Sequence, residues 1–299
     1  MAVITMINAK LDTLLAVAEL LNYTKAAQAL SLTQPAVSQH IRQLEADYEI
    51  TIFRRGEKPL VLTREGEVLV QYARKIKNLH ERMQVQLSDQ KCKKRQLSIG
   101  VTETTMSSGI VETLAKFEKQ IDCASIQIYT DEAKNLLDML RNYSLDLAIV
   151  EGSVSEADFY SLSIDSDQLF AAVSPLNSLS HRTVVTLEDL KAQRMILRGG
   201  SSGTRILWEN QLRQLFETIE SFQVVMELDS VNSIKELVKK DYGISILSMR
   251  SCAAEVEEGT LVLLPIENKR MIREVNLVCL KEAEQVGTVQ MLKRVYDNR

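Results

Sequence analysis

Apolar residues recur at helical spacing through the first third of this chain and then give way to short continuous apolar runs. Residues 23–44, YTKAAQALSLTQPAVSQHIRQL, predict a short helix, a tight turn and a second helix with no spare residues between them. Ala26, Ala27 and Leu30 give the first helix a small-residue packing face. Val37, Ile41, Leu44 and Tyr48 give the second an apolar stripe at i, i+4, i+7 and i+11. Thr33 stands where an N-cap is needed, and Pro35 falls in the first turn, where a missing N–H costs nothing. Across 65–87 there is no proline, and Leu69, Tyr72, Ile76, Leu79 and Met83 repeat at spacings of 3, 4, 3 and 4. Those are a and d positions of a long helix that Thr63 would cap, and its narrow seam either pairs with another helix or packs on its own domain.

The charge run Lys91-Cys92-Lys93-Lys94-Arg95 interrupts the seam and predicts a hinge at 91–95. Beyond it, strand patterns at 97–101, 126–129, 145–150, 195–197, 224–228 and 244–247 alternate with helical stretches. LDLAIV and GISILSM are apolar on consecutive residues, as strands buried on both faces require, so the body is expected to be α/β with a parallel sheet. Strand candidates at 161–173 and 274–280 lie where the chain would cross between two lobes.

On the second helix, the side opposite the apolar stripe carries Pro35, Gln39, Arg42 and Gln43, with Ser38 at its flank and no acidic residue. Amides, a hydroxyl and a guanidinium can hydrogen-bond base edges in a major groove or phosphates along its walls. The helix is therefore a candidate for recognition, the alternative being a helical hairpin with a solvated polar face. In ITIFRRGEKPLVLT, which follows, Ile50, Ile52 and Phe53 read as a tether to the core. Arg54, Arg55 and Lys58 surround Gly56 and Pro59 as in a basic β-wing.

Taken together, LDTLLAVAELLNYTKAAQALSLTQPAVSQHIRQLEADYEITIFRRGEKPLVLTREG resembles the winged helix-turn-helix of LysR-type transcriptional regulators. TKAAQAL, TQPAVSQHIRQLE, IFRR and LVLTREG stand in order and at the family spacing. One departure is Tyr48-Glu49-Ile50, where the family has a Leu-Gly pair. The resemblance implies an N-terminal all-α winged helix-turn-helix (1–63), a linker and dimerisation helix (64–90), the hinge (91–95) and an effector-binding domain (96–299). That last domain is two-lobed α/β and periplasmic-binding-protein-like, with lobe I at about 96–163 and 268–299 and lobe II at about 164–267. LDLAIVEG and DSVNSIKELVKKDYGISIL fit the family pattern, whereas GIVETLAKFEKQ lacks its frequent Leu-Pro.

Charge supports a division of labour. The total is −4, yet residues 1–95 hold 15 Lys and Arg against 10 Asp and Glu, and the remainder holds 21 against 30. Phosphate attraction acts locally, because salt screens it over about 10 Å, so a basic head can serve an acidic body. At 299 residues, 45% hydrophobic and 25% charged, the chain is long enough for two or three globular units. The N-terminus shows no signal-peptide pattern and no stretch approaches a membrane span, so a cytoplasmic protein without membrane contact is expected. Cys92, Cys123, Cys252 and Cys279 are scattered without a C-x-x-C pair, so neither a metal site nor a disulfide framework is expected.

The expected DNA-contacting set is Thr33, Gln34, Pro35, Ser38, Gln39, Arg42, Arg54, Arg55, Lys58 and Thr63, and the dimer seam is Leu69, Tyr72, Ile76, Leu79 and Met83. Two polar clusters sit where strands hand over to helices, points that open onto a cleft in such a body. The first contains Thr102, Glu103, Thr104, Thr105 and Ser107. The second is Arg198-Gly199-Gly200-Ser201-Ser202-Gly203-Thr204-Arg205, similar to the SGTR segment of a subgroup of the family. Hydroxyls and N–H groups at facing helix ends favour a small anionic effector, with Arg198 or Arg205 as counter-charge. The expected effector residues are Thr102, Thr104, Thr105, Arg198, Ser201, Ser202, Gly203 and Thr204, while Glu103 could instead select an amine. Plain N-capping is the structural alternative.

Gly199-Gly200-Ser201-Ser202-Gly203 formally matches G-x-S-x-G, but His40, His80 and His181 all precede Ser201, so the triad order of that elbow cannot be assembled. No phosphate loop or H-E-x-x-H motif is present, and no catalytic residue or cofactor is expected. The expected partners are double-stranded DNA, a small effector and further copies of the chain, as a homodimer or homotetramer. The resemblance leaves RNA polymerase open as another. An effector-independent architectural DNA-binding protein is the alternative, against which about 200 residues of acidic body argue.

Overall fold

The computed structural model describes residues 2–54, 56, 59–89, 95–121, 123–154 and 156–298. It divides the chain into two units, residues 1–93 with 141–144, and residues 94–140 with 145–299.

In the first unit, α1 (Ala2–Leu20), α2 (Tyr23–Ala29) and α3 (Gln34–Tyr48) pack around Leu14, Val17, Ala26, Val37, Ile41 and Leu44, all buried. Ala26 and Ala27 let α2 approach its neighbours closely. The starts of α2 and α3 are set by side chains that take up orphan backbone donors: Asn22 accepts from Thr24 N and Lys25 N, and Thr33 accepts from Ala36 N at 3.4 Å. The expected stripe on α3 ends one turn early, because Tyr48 is 53% exposed. Glu49, at φ 55° and ψ 38°, closes α3 in the left-handed conformation. That is the place where the resembled family carries glycine, and a side chain there holds a conformation that glycine adopts more cheaply.

After α3 the chain doubles back through an antiparallel bridge between Phe53 and Leu62, with Arg54 N donating to Val61 O at 2.8 Å. Ile52 and Phe53 are buried tethers, as expected. The helix α4 (Arg64–Asp89) then packs Val70 and Ala73 against this core. Gly66 in its first turn lies against the Ile52 carbonyl, and a Cβ there would sit 2.2 Å from that oxygen. Gly66→Ala is therefore expected to destabilise the head by about 1–3 kcal/mol. A denaturation midpoint equal to the parent's would show that α4 can slide.

The second unit begins at β1 (Arg95–Val101); the other residues of the expected hinge, 91–94, lie outside the described ones. There follow α5 (Glu103–Ser107), α6 (Ile110–Glu118), β2 (Cys123–Thr130), α7 (Ala133–Arg141), β3 (Leu147–Glu151), β4 (Phe159–Val173), α8 (Leu187–Lys191) and β5 (Arg194–Arg198). The chain continues through α9 (Gly203–Arg213), β6 (Gln223–Leu228), α10 (Val231–Lys239), β7 (Ser245–Ser248), α11 (Ala253–Glu257), β8 (Val262–Leu264), β9 (Met271–Leu280) and α12 (Ala283–Asp297).

Strand order in the larger sheet is β2-β1-β3-β9-β4-β7, with β8 also on β4. The pairs β1–β2 and β1–β3 are parallel, and β9 and β4 run antiparallel. In the first lobe, Leu97, Ile99, Leu147, Ile149 and Leu277 face α6 and α12, while Ala148, Val150 and Val278 face α7. Both faces are covered, which explains the continuous apolar runs. The second lobe repeats the arrangement around Trp208, Met195, Leu197 and Ile246, with β5 and β6 parallel. β4 and β9 pair across fifteen- and ten-residue strands with a register shift between Ser163 and Asp165, and so run from one lobe into the other. β8, three residues long, has no counterpart in the sequence expectations, since so short a run carries no period.

Candidate functional site

The candidates on α3 and its cap lie mostly exposed along one helix. Thr33, Gln34, Pro35, Gln39 and Arg42 are exposed, and Ser38 is half-buried. Gln34 Nε2 donates to Ser38 Oγ at 2.9 Å, which holds one amide along the helix start. Thr33 is occupied as the cap. Thr63 is half-buried, donates to main-chain carbonyls of Thr51 and Ile52 and accepts from Gly66 N at 2.9 Å, so its side chain sets the start of α4. Arg54 is exposed, whereas Arg55 and Lys58 lie outside the described residues.

Along α4 the expected seam splits. Tyr72, Ile76, Leu79 and Met83 are 44–59% exposed, but Leu69 is half-buried against the head core. Val68 and Leu87, which a strict a/d reading missed, extend the exposed stripe at both ends. Lys75 Nζ lies 5.5 Å from the centre of the Tyr72 ring.

In the second unit, a cleft of about 520 Å³ opens at the carboxyl ends of β1, β2, β3, β5 and β6. Thr102, Glu103, Thr104 and Glu151 line it from the first lobe, Arg198, Ser202, Gly203 and Asp229 from the second. Of the expected effector residues, Thr105 and Thr204 are buried and do not reach the cleft lining. Ser201 is exposed and donates to Glu132 Oε1 across the two lobes. Ser202 accepts from Arg205 N at 3.2 Å and caps α9.

The first polar cluster carries a different chemistry from the one its hydroxyls suggested. Thr102 Oγ1 donates to Glu151 Oε2 at 2.6 Å, and Thr105 Oγ1 donates to Glu151 Oε1 at 2.9 Å. Both hydroxyl protons are therefore committed to a carboxylate, and Thr104 is the hydroxyl of this group that turns to Arg198, with Nη1 to Oγ1 at 3.5 Å. Arg205 is no counter-charge for the cleft, because its guanidinium donates to Glu209 at 2.5 Å and to Glu227 at 3.3 Å.

Arg198 is the buried cation of the site, 7% exposed at the end of β5. Burial lowers its pKa, with Glu103, Asp229 and Glu151 acting in the opposite direction, so neighbouring carboxylates do not fully offset its desolvation. Its Nε has no hydrogen-bond partner among the described residues, and the same holds for Nη1 of Arg273. Arg273 lies on β9 opposite Asp167 on β4 and donates to Asp167 Oδ2 from Nε at 3.3 Å and Nη2 at 3.1 Å. Its Nη2 is 3.9 Å from Glu151, and its Nη1 lies 3.5 Å from where a Cβ on Gly203 would stand. Arg273, Asp167, Glu151 and Asp229 escaped the sequence reading, since each is an isolated charge with no local pattern. The one available signal was a charged residue at a normally buried position of a crossing strand.

Residues 92–296 match the family model described as LysR substrate binding domain, and residues 9–67 match the bacterial regulatory helix-turn-helix protein, lysR family. The chain is 27% identical over 278 residues to a probable RuBisCO transcriptional regulator of Phaeodactylum tricornutum, covering 92% of this chain and 91% of the relative. It is 24% identical over 274 residues to the HTH-type transcriptional regulator CysL of Bacillus subtilis, covering 90% and 89%. In fold it is similar to CbnR, a LysR family transcriptional regulator, with a TM-score of 0.69, 18% identity and coverage of 97% and 99%. Its body is similar in fold to the regulatory domain of Synechocystis CcmR in complex with 2-PG, with a TM-score of 0.60, 21% identity and coverage of 69% and 99%.

Proposed function

Because this chain belongs to the LysR family of bacterial regulatory proteins, we propose that α3 reads its operator and that the interlobe cleft takes its effector. The protein is a DNA-binding transcriptional regulator modulated by a small molecule. Arg198, buried in the cleft with an unpartnered Nε, is the observation that carries the effector reading, since an incoming oxyanion would complete its hydrogen bonds.

At residue level, Gln34, Pro35, Ser38, Gln39 and Arg42 contact the major groove. Thr33 and Thr63 act by fixing the helix starts, and Arg54, Arg55 and Lys58 hold phosphate or minor groove. Tyr72, Ile76, Leu79 and Met83 pair α4 with a second copy, which sets two heads on adjacent half-sites. Arg198, Thr104, Ser202 and Gly203 receive the oxyanion of the effector, while Thr102 and Thr105 position Glu151. Lobe closure on the effector alters how the paired heads engage DNA, a coupling usually of about 1–3 kcal/mol. The protein acts in the cytoplasm as a homodimer or homotetramer, with RNA polymerase as its further partner on DNA, and carries no catalysis. Among the described residues no helix is long and apolar enough to cross a membrane, and no metal-holding group is present.

Fluorescence anisotropy on DNA from the chain's own upstream region against scrambled DNA, across a salt series, tests the reading. A specific ratio above about 10³ is expected. Equal, steeply salt-dependent binding to both would point to architectural coating instead. Gln39→Ala or Arg42→Ala is expected to relax preference at particular bases by about 1–3 kcal/mol, whereas Lys58→Ala weakens all sequences alike and lowers the salt slope. Equal losses on every sequence for all three variants would sink the assignment of α3.

A further inference from the structure

The cleft is charged in a way that a purely anionic effector does not match. Its lining holds five carboxylates, Glu103, Asp131, Glu132, Glu151 and Asp229, against one guanidinium, Arg198, a formal −4. The signs are also arranged by depth. Arg198 and Arg273 are buried, each 7% exposed and each with one unpartnered guanidinium nitrogen, whereas Asp131, Glu132 and Asp229 are exposed. Glu151 and Asp167 are buried beside them, so a floor of paired charges with two open guanidinium N–H groups lies beneath a negative mouth. A dianion entering such a site would meet the floor only by crossing like charge, and complementarity of potential decides which ligands are rejected. A bare metal ion is no better match, because no group of three or more potential ligands stands in metal-holding geometry among the described residues.

We propose that the effector is a zwitterion whose carboxylate or other oxyanion seats against Arg198 and Arg273 and whose protonated amine faces Glu103, Asp131, Glu132 and Asp229. The inference rests on the reading of the cleft as the effector site. The floor supplies forked, charge-assisted donors suited to an oxyanion. The mouth supplies acceptor-only carboxylates, which suit the three donors of an ammonium group. Because Arg198 belongs to the second lobe and Glu103, Asp131 and Glu132 to the first, one molecule engaging both charges would bridge the lobes where Ser201 and Glu132 already meet.

The test uses the full-length chain and probes of equal length, read by thermal shift and titration calorimetry. 5-Aminovalerate, glutarate and cadaverine form one matched set, and 4-aminobutyrate, succinate and putrescine a second, with ornithine, lysine and glutamate added to the zwitterions. Zwitterions are expected to raise the midpoint and to bind at least tenfold tighter than the diacid and diamine of the same length. Asp229→Asn, at an exposed position, is expected to lower zwitterion affinity tenfold while raising that of the diacid. Arg198→Gln is expected to abolish both. Diacids binding tighter than zwitterions, or diamines binding tighter than both, would overturn the zwitterion and leave the cleft reading intact. Silence from every probe, or binding indifferent to both substitutions, would overturn the cleft reading as well.

Discussion

Replacing Ile76 and Leu79 together by glutamate is expected to yield a monomeric protein that binds its operator about 10²–10⁴-fold more weakly, while its thermal midpoint changes little. The loss follows from linkage: once one head is bound, the second binds at the high local concentration its partner imposes, and a monomer forfeits that gain. The two side chains are 44% and 45% exposed in the folded chain, so charge there costs the isolated fold little. In a paired helix each would be removed from water, at about 1.5–3 kcal/mol per side chain, and each chain would bring two carboxylates into the shared seam. Light scattering after size exclusion gives the mass, and anisotropy gives the operator affinity. A variant that stays dimeric with parental affinity would show that the exposed stripe of α4 is not the pairing surface.

Asp167→Ala is expected to destabilise the body by about 3–5 kcal/mol, because it leaves Arg273 buried without its carboxylate. Arg273 and Asp167 have side chains 5% and 2% exposed, and Asp167 also accepts from Ser248 Oγ at 2.8 Å. Removing the acid orphans a charge on β9, one of the two strands that run between the lobes, and a hydroxyl donor at the end of β7. For a unit of this size the thermal midpoint is expected to fall by roughly 6–20 °C, at about 2–4 °C per kcal/mol. Asp167→Asn, which retains an acceptor, should lose less. The double substitution Asp167→Leu with Arg273→Met should recover part of the stability, since a buried ion pair contributes little net once both charges are gone. If Asp167→Ala unfolds within about 0.5 kcal/mol of the parent in chemical denaturation, the guanidinium must already be satisfied elsewhere, and its place at the cleft floor would be lost with it.

These two predictions differ in how far the sequence anticipates them. The α4 stripe was legible at Tyr72, Ile76, Leu79 and Met83, because heptad spacing is local and repeats. It failed at Leu69 because one helix can present apolar residues to two neighbours, and spacing does not say which neighbour takes each. The Asp167–Arg273 pair was not legible at all. Its partners are brought into register by β4 and β9, more than a hundred residues apart in the chain. In the first polar cluster Thr102 and Thr104 line the cleft and Thr105 does not, and the partner of Thr102 and Thr105, Glu151, lies more than forty residues away in the chain.

Caps, turns and periodic stripes are written in neighbours along the chain, and they account for the head, the long helix and the alternating body. Thr33 caps α3 and Thr63 sets α4 because the donors they satisfy lie within three residues. The sign pattern of the cleft has no such local origin. It arises where five strand ends from two lobes converge and place buried guanidinium groups beneath exposed carboxylates. Electrostatic energy depends on separation and burial in space, neither of which sequence distance measures. Family, fold and helix-turn-helix thus follow from local pattern, whereas the charge of the cleft follows from the way the two lobes converge on it.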